Sequence, residues 1–295
     1  MDIPYSAEKD DLYLPAKRGG FFPKGRPELP AAICVEMARL AYVRQDSSFA
    51  LDQPQINKVL ASIQFTGSKF FDSTTHPTGR GSHGFLAIDK NAKLAVLAFR
   101  GTDADDPSDI SDDLEAIPES WQAGGRVHSG FADALLEIWH GDDGVEAALR
   151  QMGGYKLLFT GHSLGAAMAT LAASLWTPTS LFTFGSPRVG DAGFVAVLEK
   201  KQLDNHRYVD CSDLVARVPP ENVLGYKHIG KPYYIDLARA VKQRDANDPY
   251  ICEDQTKAEV QYIEQYAWRI GDVAVRPLAD HAPMNYVWPV MADTQ

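Results

Sequence analysis

Cysteine is scarce, with only Cys34, Cys211 and Cys252 in 295 residues. They are odd in number, widely spaced and free of any C-x-x-C pair, so a disulfide framework or a cysteine zinc site is not expected. Buried free thiols are the expectation, with a single bridge as the alternative. Basic residues are outnumbered: 29 Lys and Arg face 39 Asp and Glu, a formal net charge of −10. Nucleic-acid binding needs the opposite balance, and tight docking on anionic lipid is disfavoured for the same reason. No long apolar run is present. The stretch from Leu164 to Trp176 is interrupted by Thr170 and Ser174 and is too short to span a bilayer. There is no repeat and no Gly/Ser-rich or Pro-rich linker. The G-x-x-x-x-G-K-[ST] run is absent, and Asp103-Ala104-Asp105-Asp106-Pro107 puts proline where a calcium loop needs a ligand. No cofactor and no metal are expected. Residues Met1 to Glu8 lack the basic start and apolar run of a signal peptide. A cytoplasmic protein without a transmembrane segment is the expectation.

What is present is patterned apolar sequence. Hydrophobic residues make up 45% and charged residues 23%, the balance of a globular chain. Residues 1–30 carry five prolines and read as an irregular arm. A helix is predicted over Ala31–Val43, and a hairpin where Gly84–Ile88 and Leu94–Phe99 flank Asp89–Ala92. Helices and strands then alternate: helix from Phe131, strand Tyr155–Thr160, helix Ser163–Trp176, strand Leu181–Phe184, helix Asp191–Lys201, strand His206–Asp210. That alternation predicts one α/β domain over residues 1–295, a mostly parallel sheet with helices on both faces. Further helices are predicted near Leu237–Gln243 and Lys257–Arg269.

Gly161-His162-Ser163-Leu164-Gly165 falls where a buried strand turns into a helix. G-x-S-x-G alone arises by chance in roughly one chain in ten of this length. Its context decides: a sharp strand-to-helix turn leaves no room beside the serine, so glycines flank it and the hydroxyl projects above the sheet. The helix N-terminus then faces any developing negative charge. Ser163 is the candidate nucleophile, and it needs a base, because a free hydroxyl attacks poorly at neutral pH. When the acid and base follow the serine in the chain, His206, His228 and His281 are left as bases. His206 leads into a strand and His228 precedes one, whereas His281 lies in a late loop. Asp191, Asp204, Asp210 and Asp213 are the acids considered, of which Asp210 and Asp213 follow the strand that ends at Val209.

These residues resemble a known family. Gly161–Ala166 is similar to the nucleophile elbow of the class 3 lipases, the fungal-lipase-like branch of the α/β-hydrolases. Phe99-Arg100-Gly101-Thr102 resembles the family's oxyanion loop, and Val127-His128-Ser129-Gly130-Phe131 the opening of the next helix. Thr183 to Gly190 resembles the segment after the following strand. Asp213-Leu214-Val215 with Pro219-Pro220 resembles the acid region, and Asp280-His281 with Tyr286 the histidine region. The six matches run in family order between residues 84 and 286. The resemblance implies the catalytic set Ser163, Asp213 and His281, with the N–H groups of Leu164 and Thr102 as oxyanion donors. It implies a lipase or esterase that acts on neutral acylglycerol-type esters, with phospholipase A1 and feruloyl-type esterase as alternatives. A non-catalytic lipase-like interaction protein is the remaining reading. Asp280 reads as a helper or a surface charge.

Residues Asp103–Trp121 hold eight acids and no base. Ile110, Leu114, Ile117 and Trp121 recur at spacings of four, three and four, one stripe of a helix. By resemblance this is a lid that covers the site and makes transient contact with a lipid interface. A solvated surface helix gives the same pattern. Its acidity predicts a preference for uncharged over anionic substrates, within a screening length of about 8 Å.

Overall fold

A computed structural model describes residues 4–45, 48–73, 81–102, 117–221 and 225–293. The first elements are α1 (Lys9–Tyr13), α2 (Pro30–Leu40), α3 (Gln53–Ser62), β1 (Gly67–Asp72), β2 (His83–Asp89) and β3 (Leu94–Phe99). Next come β4 (Pro118–Ser120), β5 (Arg126–His128), α4 (Ser129–Trp139), α5 (Val145–Arg150), β6 (Lys156–His162) and α6 (Leu164–Leu175). Then β7 (Ser180–Phe184), β8 (Gly190–Asp191), α7 (Ala192–Lys200), β9 (Asp204–Asp210) and β10 (Tyr226–Lys227) follow. The last are β11 (Pro232–Ile235), β12 (Val241–Gln243), α8 (Pro249–Gln265), α9 (Arg276–Ala279) and α10 (Pro283–Ala292).

Among the described residues, one eight-stranded sheet runs in the order β1-β2-β3-β6-β7-β9-β11-β12. Strands β3, β6, β7, β9 and β11 are parallel, and antiparallel hairpins close both edges. This is the mostly parallel sheet that alternating strands and helices predict. Side chains alternate across it with the period of two that a strand imposes. Phe85, Val96, Leu158, Phe182 and Tyr208 join one buried cluster with α2, α3 and α10. Leu86, Leu97, Phe159 and Leu181 join another with α4, α6 and α7. With both faces covered, the central strands carry apolar residues at nearly every position. Helix α6 packs on the sheet through small side chains, and Ala166, Ala167, Ala169 and Ala172 on it are fully buried.

Three expectations need correction. Leu237–Gln243 is not a helix. Its residues are helix formers, but Arg239 adopts a φ of 67° in a turn closed by Arg239 N–H to Asp236 O, and Val241–Gln243 pairs with β11. Tertiary pairing overrides local propensity here. The stripe of Ile110, Leu114, Ile117 and Trp121 does not continue as a helix through its last two members. Pro118 lacks the N–H a helix needs and disfavours helical backbone at Ile117. Ile117 is exposed, β4 follows it, and Trp121 is buried against the core with its indole N–H donated to Ser174 Oγ at 2.8 Å. Ile110, Leu114 and the rest of 103–116 lie outside the described residues. Finally, Cys34 and Cys211 are buried free thiols as expected, but Cys252 is exposed.

The N-terminal arm is more ordered than its prolines suggest. It carries α1 and is tied down by backbone bonds from Lys9 to Gly271 and from Val273 to Ala7.

Candidate active site

The elbow is built by sterics. Ser163 has φ 58° and ψ −128°, left-handed backbone that a non-glycine residue adopts at a cost of about 1–3 kcal/mol. Its neighbours must be small for this to hold. A Cβ on Gly161 would stand 2.2 Å from Gly165 O, and one on Gly165 would stand 2.3 Å from Phe99 O. Ser163 N–H is held by Phe184 O of β7 at 3.1 Å. The serine side chain therefore projects at the end of β6 where α6 begins. Leu164 N–H is among the first N–H groups of α6, which have no partner one turn back inside the helix. The chain at Gly101 passes beside it: a Cβ there would stand 3.1 Å from Ser163 Cβ. This brings Thr102, half-buried, to the rim of the site.

The structure brings Ser163, His281 and Asp213 together. His281 Nε2 lies 2.9 Å from Ser163 Oγ, and His281 Nδ1 lies 3.0 Å from both carboxylate oxygens of Asp213. All three side chains are buried. With Nδ1–H donating to the carboxylate, Nε2 is free to accept the serine proton. Burial pushes the Asp213 carboxyl upward, and the His281 imidazole, the Tyr286 hydroxyl and His162 more than reverse that. Its pKa therefore lies below the usual carboxylate range. Asp213 also accepts from Tyr286 O–H at 2.5 Å and from Val215 N–H at 2.8 Å, which fixes the carboxylate plane.

The rival residues have other partners. Asp210 is held by Arg239 Nη1 at 2.6 and 2.8 Å, and its carboxylate bonds to no histidine among the described residues. His228 bonds Ala216 O through Nε2, and its pKa is lowered by burial and by Arg207. His206 sits in β9, stacked on Phe182. Asp280 is no surface charge. It is fully buried, receives Arg276 Nε–H at 2.9 Å, and accepts from Ser212 N–H at 2.9 Å and from Tyr5 O–H at 2.8 Å. One carboxylate thus braces the acid loop and the histidine loop together.

Two supports were not legible in the sequence. His162, inside the elbow, has Nε2 at 2.7 Å from His281 O and Nδ1 at 2.7 Å from Tyr42 Oη. A carbonyl can only accept, so Nε2 carries the proton and Nδ1 accepts from the Tyr42 hydroxyl. Burial, then His281, lowers the His162 pKa to about 3, so this relay stays neutral. Gly185, at φ 58°, passes behind the acid–base pair, and a Cβ there would stand 2.7 Å from Asp213 Oδ2. A glycine in an apolar strand exit was the available signal.

Nothing among the described residues groups three or more metal-ligating side chains. The G-x-G-x-x-G spacing occurs once, at Gly79-Arg80-Gly81-Ser82-His83-Gly84, but its last two residues open β2 where phosphate binding needs a helix N-terminus. No described helix is long and apolar enough to cross a membrane.

Residues 96–223 match the family Lipase (class 3). The chain is 35% identical over 136 residues to a "Secreted mono- and diacylglycerol lipase 1" of Fusarium solani, covering 44% of this chain and 40% of that one. It is 30% identical over 201 residues to a "Secreted mono- and diacylglycerol lipase A" of Penicillium cyclopium, covering 62% and 59%. The chain thus spans about half the length of these relatives. The fold is similar to that of Rhizomucor miehei triacylglyceride lipase, with a TM-score of 0.59 at 22% identity over 88% of this chain and 94% of the other. The expectation of a cytoplasmic location is overturned by these relatives, whose names are those of secreted proteins and point outside the cell. The expectation had rested on residues Met1 to Glu8 alone, and the residues that build the sheet and the site do not encode a protein's destination. The motifs, the sheet and the matches converge: residues 96–223 match the class 3 lipase family, and the fold is that of the α/β-hydrolases.

Proposed function

We propose that this protein is a serine carboxylic-ester hydrolase, a lipase that acts on neutral acylglycerol-type esters. The observation that carries the reading is the hydrogen-bonded file from Ser163 Oγ through His281 to Asp213, at 2.9 and 3.0 Å. Ser163 Oγ attacks the ester carbonyl while His281 Nε2 takes its proton. Asp213 keeps the imidazole in the working tautomer and stabilises the imidazolium. The Leu164 and Thr102 N–H groups hold the oxygen that becomes negative. His281 then protonates the departing alcohol, leaving an acyl group on Ser163. Water repeats the sequence and frees the acid.

The names of the relatives favour acylglycerols as the substrate class. Charge supports the neutral choice. Seven acids and no base lie between Asp103 and Ala116, joined directly to Thr102 at the rim. Their field disfavours an anionic headgroup and speeds the departure of a fatty-acid carboxylate. The test is a hydrolysis panel of mono-, di- and triacylglycerols beside matched zwitterionic and anionic phospholipids, at low and high salt. The neutral esters should be turned over fastest, with high salt narrowing their lead over the anionic ones. Faster turnover of phospholipid than of any acylglycerol would replace the lipase reading with that of a phospholipase.

A further inference from the structure

Arg207 lies on β9 opposite Thr183 of β7, on the sheet face covered by α6 and α7, and is only 4% exposed. Three other buried or half-buried arginines have a carboxylate partner. Arg39 pairs with Glu36, Arg239 with Asp210 and Arg276 with Asp280. Arg207 pairs with no carboxylate among the described residues. Its Nε–H and an Nη2–H reach the carbonyl oxygens of Ile229 and Gly230 at 3.4 and 3.3 Å, both long bonds, and Nη1 bonds to none of the described residues. The charges around it are of the same sign. Lys227 lines the same space, and Arg188 adds to the effect of burial in lowering the Arg207 pKa to about 9. The guanidinium is still charged at neutral pH. Glu221 reaches Lys227 at 3.9 Å and acts on Arg188, but does not pair with Arg207. A buried cation without a counter-charge is costly by several kcal/mol.

Beside the guanidinium is a small cavity lined by Thr170, Thr183, Ser186, Arg207, Lys227 and His228, among others. It leaves about 10 Å³ for the centre of a water-sized sphere, the lower limit for one water or one small ion. The Thr170 and Ser186 hydroxyls are taken up by Ala166 O and Pro187 O, whereas the Thr183 hydroxyl bonds to none of the described residues.

We propose that this cavity binds one monatomic anion, a halide, seated between Arg207 Nη1 and the Thr183 hydroxyl as the counter-charge of the buried guanidinium. The site lies on the α6–α7 face of the sheet, apart from the Ser163 hydroxyl, so its role is to stabilise β7, β9 and the turn before β11. Sulfate, phosphate and carboxylates are excluded by size. Because a halide binds the folded state alone, stability rises with its concentration.

The probe is bromide. Wild-type crystals soaked in sodium bromide should show an anomalous peak in contact with Arg207 Nη1. In solution, above half-saturation, each tenfold rise in bromide should raise the apparent folding constant about tenfold relative to sodium gluconate of equal ionic strength. Arg207→Gln should abolish that bromide-specific gain. If this variant does not fold, Thr183→Val should shift half-saturation to higher bromide. A cavity without anomalous signal overturns the proposal. Equal stability in bromide and gluconate, or an unchanged bromide gain in the variant that folds, overturns it as well.

Discussion

The two sides of the hydrogen-bonded file are built by different physics. On the serine side the backbone does the positioning: φ at Ser163 is 58°, and Gly161 and Gly165 meet neighbouring carbonyls where any Cβ would collide. On the acid and histidine side, Asp213 and His281 sit in loops whose course is set by side chains. Asp280 joins Ser212 to Arg276, Tyr286 holds Asp213, and Tyr42 reaches His281 through His162. A steric constraint writes itself into adjacent residues, while a hydrogen-bonded brace draws on residues scattered over the chain. The serine side should therefore resist polar substitution, and the other side should lose alignment one bond at a time.

The sharpest break in that comparison is the acid itself. Asp213→Asn should lower kcat by about 10⁴ through loss of the working tautomer, with KM little changed. Asp210→Asn should leave kcat near wild type and destabilise the fold by about 3 kcal/mol, because Arg239 is left buried without its partner. Steady-state kinetics and urea unfolding on both variants separate the two roles, and equal kcat losses would contradict the assignment of Asp213.

How much of this could be read beforehand follows the same division. The elbow, the hairpin of β2 and β3 and the alternating strands were legible because glycine sterics and apolar periodicity are local. Asp213 and His281 were reached through the family resemblance, with Asp210 and His228 left open by the residues alone. Asp280 was left between a helper and a surface charge, since its partners Tyr5 and Ser212 are far from it in sequence. Leu237–Gln243 misled because helix propensity was overruled by the Asp210–Arg239 pair and the edge of β11. Trp121 misled because an i, i+4 stripe was counted across Pro118.

A smaller effect is expected from the brace. Asp280→Asn weakens the tie between Ser212 and Arg276, and a shift of the loops of order 1 Å should cost about 10²-fold in kcat. Arg276→Lys, which keeps the charge, should retain more activity than Arg276→Ala. Unchanged kcat in Asp280→Asn would reduce that carboxylate to a purely structural role.

The relay through His162 should be felt chiefly in stability. Its pKa lies near 3 in the fold and returns to about 6.5 on unfolding. Between these values the unfolded chain binds a proton that the folded chain excludes, so stability falls as pH drops from 6.5 toward 3. The slope is about 1.4 kcal/mol per pH unit for this one group. Denaturant unfolding at pH 7 and pH 5 should show a shallower loss in His162→Gln than in wild type. Tyr42→Phe, which leaves Nδ1 buried without a donor, should cost about 1–3 kcal/mol at pH 7.

The central claim, that Ser163 is activated by the imidazole of His281, is tested most directly by covalent capture. A fluorophosphonate should add once to the native protein, and peptide mapping should place the adduct on Ser163. The adduct should be absent in Ser163→Ala and should form slower by several orders of magnitude in His281→Ala. An adduct on another residue, or labelling of Ser163 at an unchanged rate without His281, would contradict the account.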